Sequence, residues 1–236
     1  MTQTVSERRF PRYAVQVPVR HASAATPQAP SRVGWIRNLS QGGACIEMEE
    51  RLPAPSSLQI RLQTDRGSVD VEAQVVWEAE RAPEKPEGGG GVLHGVAFTY
   101  LAPEQMQAIQ TLLPAEGANR RSEVRVPMDL PVTCQARGSE GQPLEGKTGN
   151  ISRGGLLLRL SQELPAGTLV DLTLHGTEGP IHGEGEVVWM DPPEQRMSGA
   201  PIKHGVRFTA MGWSRAQTLA LLLTGSKQSG AGAPSA

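Results

Sequence analysis

A tandem repeat constrains the fold of this 236-residue chain more than any other feature of its sequence. The block Asn38-Leu39-Ser40-Gln41-Gly42-Gly43 returns as Asn150-Ile151-Ser152-Arg153-Gly154-Gly155. Four more elements return in the same order and at nearly the same spacing: Arg12 as Arg125, Leu52-Pro53-Ala54 as Leu164-Pro165-Ala166, Val75-Val76-Trp77 as Val187-Val188-Trp189, and His94-Gly95-Val96 as His204-Gly205-Val206. We therefore predict two homologous domains, over residues 6–115 and 119–225, and a disordered tail over 226–236.

The residue pattern within each unit predicts short strands. Residues 13–19 alternate between two faces, which is typical of a half-buried strand. Further strands are predicted over 44–48, 57–63, 69–77, 124–134, 156–160, 168–174, 181–189 and the two His-Gly-Val segments. Pro127 and Pro131 indicate an edge position or a bulge. Five or six short strands per unit, separated by turn-rich stretches, favour a small antiparallel barrel.

Each unit ends in a helical pattern. Pro103 precedes an apolar stripe that includes Ile109 and Leu113, and Ser214 is a candidate N-cap for residues 215–223. We expect each stripe to plug the barrel rather than to meet a membrane or a partner protein.

Composition narrows the class of protein. A net charge of −1 and a pI of about 6.5 argue against a nucleic-acid partner, because duplex binders depend on many Lys and Arg contacts to phosphate. Residues 219–223, the longest apolar run near the C-terminus, are too few to span a bilayer, and residues 1–10 lack a secretory apolar segment. We predict a cytoplasmic protein without a membrane span.

Two histidines and two tryptophans recur in the repeat, and the chain also contains two cysteines at positions that are not repeated. We predict that His94 and His204 are structural, and that Trp77 and Trp189 are core or barrel-rim aromatics rather than platforms for stacking bases. Cys45 and Cys134 have no metal-binding spacing, and we predict that both are reduced thiols in the core.

Two clusters in each unit need an explanation beyond folding. The first is basic and precedes the first strand: Arg8-Arg9-Phe10-Pro11-Arg12, and Arg120-Arg121-Ser122-Glu123-Val124-Arg125. The second is the repeated Asn-x-Ser-x-Gly-Gly block. Taken alone, the first is consistent with a solvated tail and the second with an ordinary turn.

Together, the clusters resemble the signature of the PilZ family, which are bacterial receptors for cyclic di-GMP. That signature is Arg-x-x-x-Arg in an N-terminal segment, followed after one or two strands by Asp/Asn-x-Ser-x-x-Gly. Arg8 and Arg12 fit the first element, as do Arg121 and Arg125; Asn38, Ser40 and Gly43 fit the second, as do Asn150, Ser152 and Gly155. Arg120 matches a frequent extension of the motif, whereas the first unit has Glu7 at that position.

The resemblance implies a mainly β fold: two tandem six-stranded antiparallel barrels, each followed by a short C-terminal α-helix. It also implies a ligand site in each unit. The expected site residues are Arg8, Arg9, Arg12, Asn38, Ser40, Gly42 and Gly43 in the first unit, and Arg120, Arg121, Arg125, Asn150, Ser152, Gly154 and Gly155 in the second.

Those residue types suit cyclic di-GMP, which offers two phosphodiester anions and two guanine bases. The planar fork of Arg binds phosphate oxygens or the guanine O6/N7 edge and also stacks on a purine. Asn and Ser supply short neutral donors and acceptors for the remaining guanine edge. We expect the glycines to adopt positive φ and to let the backbone approach a flat base.

The function predicted from the sequence is that of a cyclic di-GMP receptor or adaptor, with no catalytic activity, cofactor or metal. Ligand bound at Arg120–Arg125, which lies between the two units, is expected to change the angle between the domains. The effector protein and the oligomeric state stay open. The alternative is an interaction scaffold in which one or both units no longer bind nucleotide, and Glu7 and Pro11 make the first unit the better candidate for that loss.

Overall fold

In the computed structural model, the described residues are 10–25, 30–80, 90–113, 123–177, 179–197 and 199–225. The first unit contains β1 Tyr13–Ser23, β2 Arg32–Ser40, β3 Gly43–Met48, β4 Ser57–Thr64, β5 Gly67–Glu80, β6 Val92–Tyr100 and α1 Pro103–Leu112. Its strands pair in the order β1-β2-β3-β6-β5-β4, and the pairing of β1 with β4 closes an antiparallel barrel.

The second unit repeats this topology. It contains β7 Val126–Pro127, β8 Pro131–Ala136, β9 Leu144–Ile151, β10 Gly155–Leu160, β11 Leu169–Gly176, β12 Gly179–Met190, β13 Ile202–Ala210 and α2 Trp213–Gly225. The pairings β8–β11 and β9–β10 close the barrel. Both β7 and β8 pair with β9, so together they take the place of β1, interrupted where the two prolines were expected to disturb the strand. The predicted pair of six-stranded barrels is confirmed.

Alternating side chains fill the barrel interiors. In β4, Leu58, Ile60 and Leu62 are buried, while Gln59 and Arg61 between them are exposed, as period-2 alternation requires. Cys45 and Cys134 are buried, unpaired thiols, as predicted, and burial raises the pKa of Cys134 to about 11.

The pattern missed β2 and β9, the strands that precede the repeated glycines. Trp35 and Ile36 are adjacent in β2 and both are fully buried, which departs from simple alternation. A bulge at Arg37 shifts the register of β2 against β3, and the same shift occurs in β9. Strand β2 extends to Ser40, so Asn38 and Ser40 belong to a strand end rather than to a free turn.

In each unit, the repeated His forms a hydrogen bond with the backbone of the repeated Leu-Pro-Ala block. The Leu52 N–H donates to His94 Nε2 at 3.0 Å, and the Leu164 N–H donates to His204 Nε2 at 3.1 Å. With Nε2 accepting, Nδ1 carries the proton and donates to Val92 O or to Ile202 O. Burial lowers the pKa of both histidines. The prediction that they are structural is confirmed.

The repeated Trp and Gly residues also form a pair across strands. Trp77 lies opposite Gly95 and Trp189 opposite Gly205. A Cβ on Gly95 would lie 2.0 Å from the Trp77 indole nitrogen, so glycine is the residue that leaves room for the ring. Both rings are partly exposed, which places them on the barrel surface rather than in the core.

Helix α2 lies against the first barrel, which differs from the expectation that each helix plugs its own barrel. Its buried residues are Ala216, Leu219, Ala220, Leu222 and Leu223. It contacts β1 and β2 as well as β12. Trp35 Nε1–H donates to Ala216 O at 2.8 Å, and Arg20 Nε–H donates to Thr224 Oγ1 at 3.1 Å. An apolar stripe predicts that a helix face is buried but does not identify the surface that buries it.

Helix α1 begins at Pro103, as predicted, contacts β5 and buries Ile109 and Leu112. Helix α2 begins at Trp213, so Ser214 lies inside its first turn and the predicted N-cap was wrong. Among the described residues, neither helix is long and apolar enough to cross a membrane.

Candidate functional site

In the first unit, strand pairing brings the two sequence clusters together. Tyr13 lies opposite Leu39 and Ala14 opposite Asn38, so Arg12 precedes β1 directly beside the end of β2. The Arg12 side chain is exposed. Arg8 and Arg9 lie outside the described residues.

The second unit repeats the arrangement. Val126 lies opposite Ile151 and Pro127 opposite Asn150, which sets the exposed Arg125 beside Ser152. Within the described part of the chain, neither Arg12 nor Arg125 forms an ion pair. Two guanidinium groups are therefore presented to solvent, each beside its own turn. Arg120 and Arg121 lie outside the described residues.

The turn that joins β2 to β3 is held by the same hydrogen bonds as the turn that joins β9 to β10. The Ser40 hydroxyl donates to Gly43 O at 3.1 Å, and the Ser152 hydroxyl donates to Gly155 O at 3.2 Å. The Phe98 N–H donates to Gly42 O, and the Phe208 N–H donates to Gly154 O. Each turn is thereby fixed to the neighbouring strand of its barrel.

The glycines are required for a reason other than the one expected from the sequence. Gly42, Gly43, Gly154 and Gly155 do not have positive φ. A Cβ on Gly43 would lie 2.1 Å from Val96 O, and a Cβ on Gly155 would lie 2.1 Å from Val206 O. The second glycine of each pair is therefore needed for close packing of two strands, and the expectation of positive φ was wrong.

The two motif asparagines share an unusual feature. Asn38 Oδ1 and Asn150 Oδ1 are buried, and neither has a hydrogen-bond partner among the described residues. Buried polar atoms in proteins are nearly always paired, because an unpaired one keeps its desolvation cost. Each turn thus presents one unused acceptor, suited to an N–H donor such as those on the guanine edge.

The residue two positions before each motif Arg was missed as part of the site. The repeat alignment places Phe10 against Glu123, and both cover the first glycine of their turn. A Cβ on Gly42 would lie 2.9 Å from a Phe10 ring carbon, and a Cβ on Gly154 would lie 2.3 Å from Glu123 Oε1. Aligning the two units residue by residue would have revealed this difference.

Arg153, which lies inside the second turn, was also missed. Its Nη1 atom is 3.0 Å from Glu47 Oε2, and its guanidinium carbon is 5.3 Å from the centre of the Trp35 ring. Glu47 and Trp35 belong to the first barrel, and both are buried. The β9–β10 turn of the second unit is therefore in direct contact with the first unit.

Two stretches of the chain, residues 6–114 and 119–224, match the PilZ domain, and the chain therefore belongs to the PilZ domain family. The resemblance seen in the sequence is confirmed. No curated protein matches the sequence.

Solved structures with a similar fold include three proteins whose structures contain c-di-GMP. The PilZ domain of YcgR from Escherichia coli is 18% identical over 44% of this chain and 86% of that chain, with a TM-score of 0.38. PlzA from Borreliella burgdorferi is 15% identical over 89% of this chain and 87% of that chain, with a TM-score of 0.39. MrkH from K. pneumonia is 13% identical over 89% of this chain and 86% of that chain, with a TM-score of 0.38.

Proposed function

We propose that the chain is a cyclic di-GMP receptor or adaptor that binds the dinucleotide at the turn of each barrel. One observation carries this proposal. In both units of a PilZ-family chain, folding sets an exposed Arg beside a turn that contains a buried, unused Asn oxygen. The cation suits a phosphate and the acceptor suits a guanine N–H, and cyclic di-GMP carries both groups.

The residues take different parts in this binding. Arg12 and Arg125, with Arg8, Arg9, Arg120 and Arg121, bind phosphate oxygens or a guanine O6/N7 edge. Asn38, Ser40, Asn150 and Ser152 bind the remaining guanine edge. Gly42 and Gly154 have no side chain that would obstruct the surface of each turn. Gly43 and Gly155 allow each turn to pack closely against the neighbouring strand.

Binding at the second turn is proposed to change the arrangement of the two barrels. Arg153 belongs to that turn and forms an ion pair with Glu47 of the first barrel. A ligand that displaces the turn therefore also disturbs a contact between the units. Small-angle scattering of the full chain measures this change. Identical profiles with and without saturating cyclic di-GMP would contradict it.

The receptor is further proposed to act in the cytoplasm by contacting an effector protein, with residues 6–115 and 119–225 as its two domains. Ligand-dependent capture of that effector is the proposed output.

Titration calorimetry of the full chain with cyclic di-GMP tests the proposal. Arg12→Ala and Arg125→Ala are each expected to weaken binding at their own unit by about 5- to 150-fold, because each removes a bidentate contact. Arg66→Ala is the matched control, since Arg66 is an exposed Arg in the β4–β5 turn. No binding by the unmodified chain would favour the alternative, an interaction scaffold.

A further inference from the structure

The second binding turn differs from the first in what covers it. Glu123 Oε2 accepts a hydrogen bond from the Ser152 hydroxyl at 2.9 Å and another from the Gly154 N–H at 3.2 Å. In the first unit the equivalent residue is Phe10, whose ring lies over Gly42 without a charge. One turn is thus covered by an aromatic ring, and the other by a carboxylate.

The donors that Glu123 engages belong to the proposed ligand site. Ser152 is buried, so its single hydroxyl proton is shared between the Glu123 carboxylate and Gly155 O. Ser40 in the first unit donates to Gly43 O. Hydrogen bonds to a carboxylate are stronger than those to a neutral acceptor. A ligand that approaches the second turn has to displace such bonds, whereas at the first turn it has to move a neutral ring.

The Glu123 segment is itself anchored to the first barrel. The Val124 N–H donates to Gln16 O at 3.0 Å, and Glu123 forms a parallel bridge with Gln16 of β1. The carboxylate is therefore held over the second turn by backbone contacts that originate in the first unit. Displacing it requires either a new side-chain rotamer or a change in the contact between the units.

We propose that Glu123 is an internal competitor of cyclic di-GMP, which makes the second unit the weaker of the two sites. This inference rests on the proposed function. The carboxylate occupies donors that the dinucleotide needs, and its negative charge repels the two phosphodiester groups of the ligand. The first unit then fills first and the second fills only at higher ligand concentration, the reverse of the order suggested by the fuller Arg signature of the second unit.

Calorimetry on the full chain tests the inference one site at a time. In an Arg12→Ala background, which weakens the first unit, Glu123→Gln keeps the shape of the side chain and removes its charge. It is expected to raise the affinity of the second unit by about 5- to 10-fold, since the turn loses a charge-assisted hydrogen bond. Glu123→Phe, which copies the first unit, is expected to raise it at least as much.

The reciprocal exchange is the matched control. In an Arg125→Ala background, Phe10→Glu is expected to lower the affinity of the first unit by a similar factor. Circular dichroism and melting temperature of each variant report whether the barrels stay folded. An affinity that is unchanged or reduced by Glu123→Gln overturns the inference while leaving the receptor function intact. No binding by any variant or by the unmodified chain instead overturns the receptor function itself.

Discussion

The two barrels share one topology, but the same face is buried on the first barrel and exposed to solvent on the second. Trp35 in β2 and Lys147 in β9 occupy equivalent positions, as do Glu47 in β3 and Arg159 in β10. Trp35 is fully buried beneath α2 and Arg153, whereas the Lys147 side chain is 61% exposed. A repeat therefore specifies two equal barrels but not two equal surfaces. The face that the second barrel leaves to solvent is, on the first barrel, the contact between the units.

The largest expected effect comes from removing the centre of that contact. Trp35→Ala should lower the free energy of unfolding by about 3 to 5 kcal/mol, because a fully buried indole and its hydrogen bond to Ala216 are lost. Lys147→Ala at the equivalent position should change it by less than about 0.5 kcal/mol. Urea denaturation measures both values. Equal effects of the two substitutions would mean that α2 does not cover this face in solution.

A second difference lies inside the barrels. His21 in β1 and Cys134 in β8 are equivalent and buried, and their strand partners Ile60 and Leu172 are equivalent too. Burial, with smaller contributions from the nearby His94 and Arg32, lowers the pKa of His21 from 6.5 to about 4. Its Nε2 atom is buried without a partner among the described residues. The first barrel therefore holds a neutral imidazole where the second holds a thiol.

This difference predicts that protonation of His21 at low pH destabilises the first barrel. Cys134, at the equivalent position of the second barrel, has no such effect. Because the folded pKa is below the unfolded value, the unfolded chain binds more protons, so the stabilisation is present above pH 6.5 and is lost as the pH falls toward about 4. The loss is on the order of 3 kcal/mol. His21→Cys, which copies the second unit, should reduce it in urea denaturation at a series of pH values.

The exposed His175 offers a control for that series, since His175→Ala removes an imidazole that is in contact with solvent. This variant keeps His21, so like the unmodified chain it should lose stability as the pH falls toward about 4. A profile for His21→Cys that superimposes on that of the unmodified chain would exclude His21 as the source of the acid sensitivity.

Much of the fold could be predicted because each repeated block carries a structural constraint. His94 binds the backbone of Leu52, and Trp77 packs across Gly95, so residues far apart in sequence had to recur together. Motif order likewise placed Arg12 and Arg125 beside their turns. Such constraints are local to one barrel, and the sequence repeats them unit by unit.

The rest could not be predicted because it depends on contacts between the units. The apolar stripe of α2 predicted a buried face but not that β1 and β2 of the other barrel would bury it. Strand β2 was not predicted because its outward-facing Trp35 is buried by the second unit. This burial removes the alternation of buried and exposed residues expected of a surface strand. Glu123 differs from Phe10 in the sequence, but only the geometry shows that its carboxylate reaches the turn.

The smallest expected effect concerns the link between the second turn and the first barrel. Arg153 stands where the first unit has Gln41, and it is the Arg153 side chain that reaches Glu47 and Trp35. Arg153→Gln, which makes the two turns alike, should lower the free energy of unfolding by about 1 to 3 kcal/mol, because a charge-assisted contact to a buried carboxylate is lost. It should also reduce any ligand-dependent change in small-angle scattering.

Arg37→Gln is a control that distinguishes a loss of stability from a loss of coupling between the two units. Arg37 contacts the same Glu47 oxygen at 3.4 Å but belongs to the first barrel, so its loss weakens the carboxylate's surroundings without cutting the contact between the units. We expect Arg37→Gln to keep the scattering response to cyclic di-GMP and Arg153→Gln to diminish it. If both variants respond like the unmodified chain, the second turn communicates with the first barrel through α2 and the Gln16–Glu123 bridge rather than through Arg153.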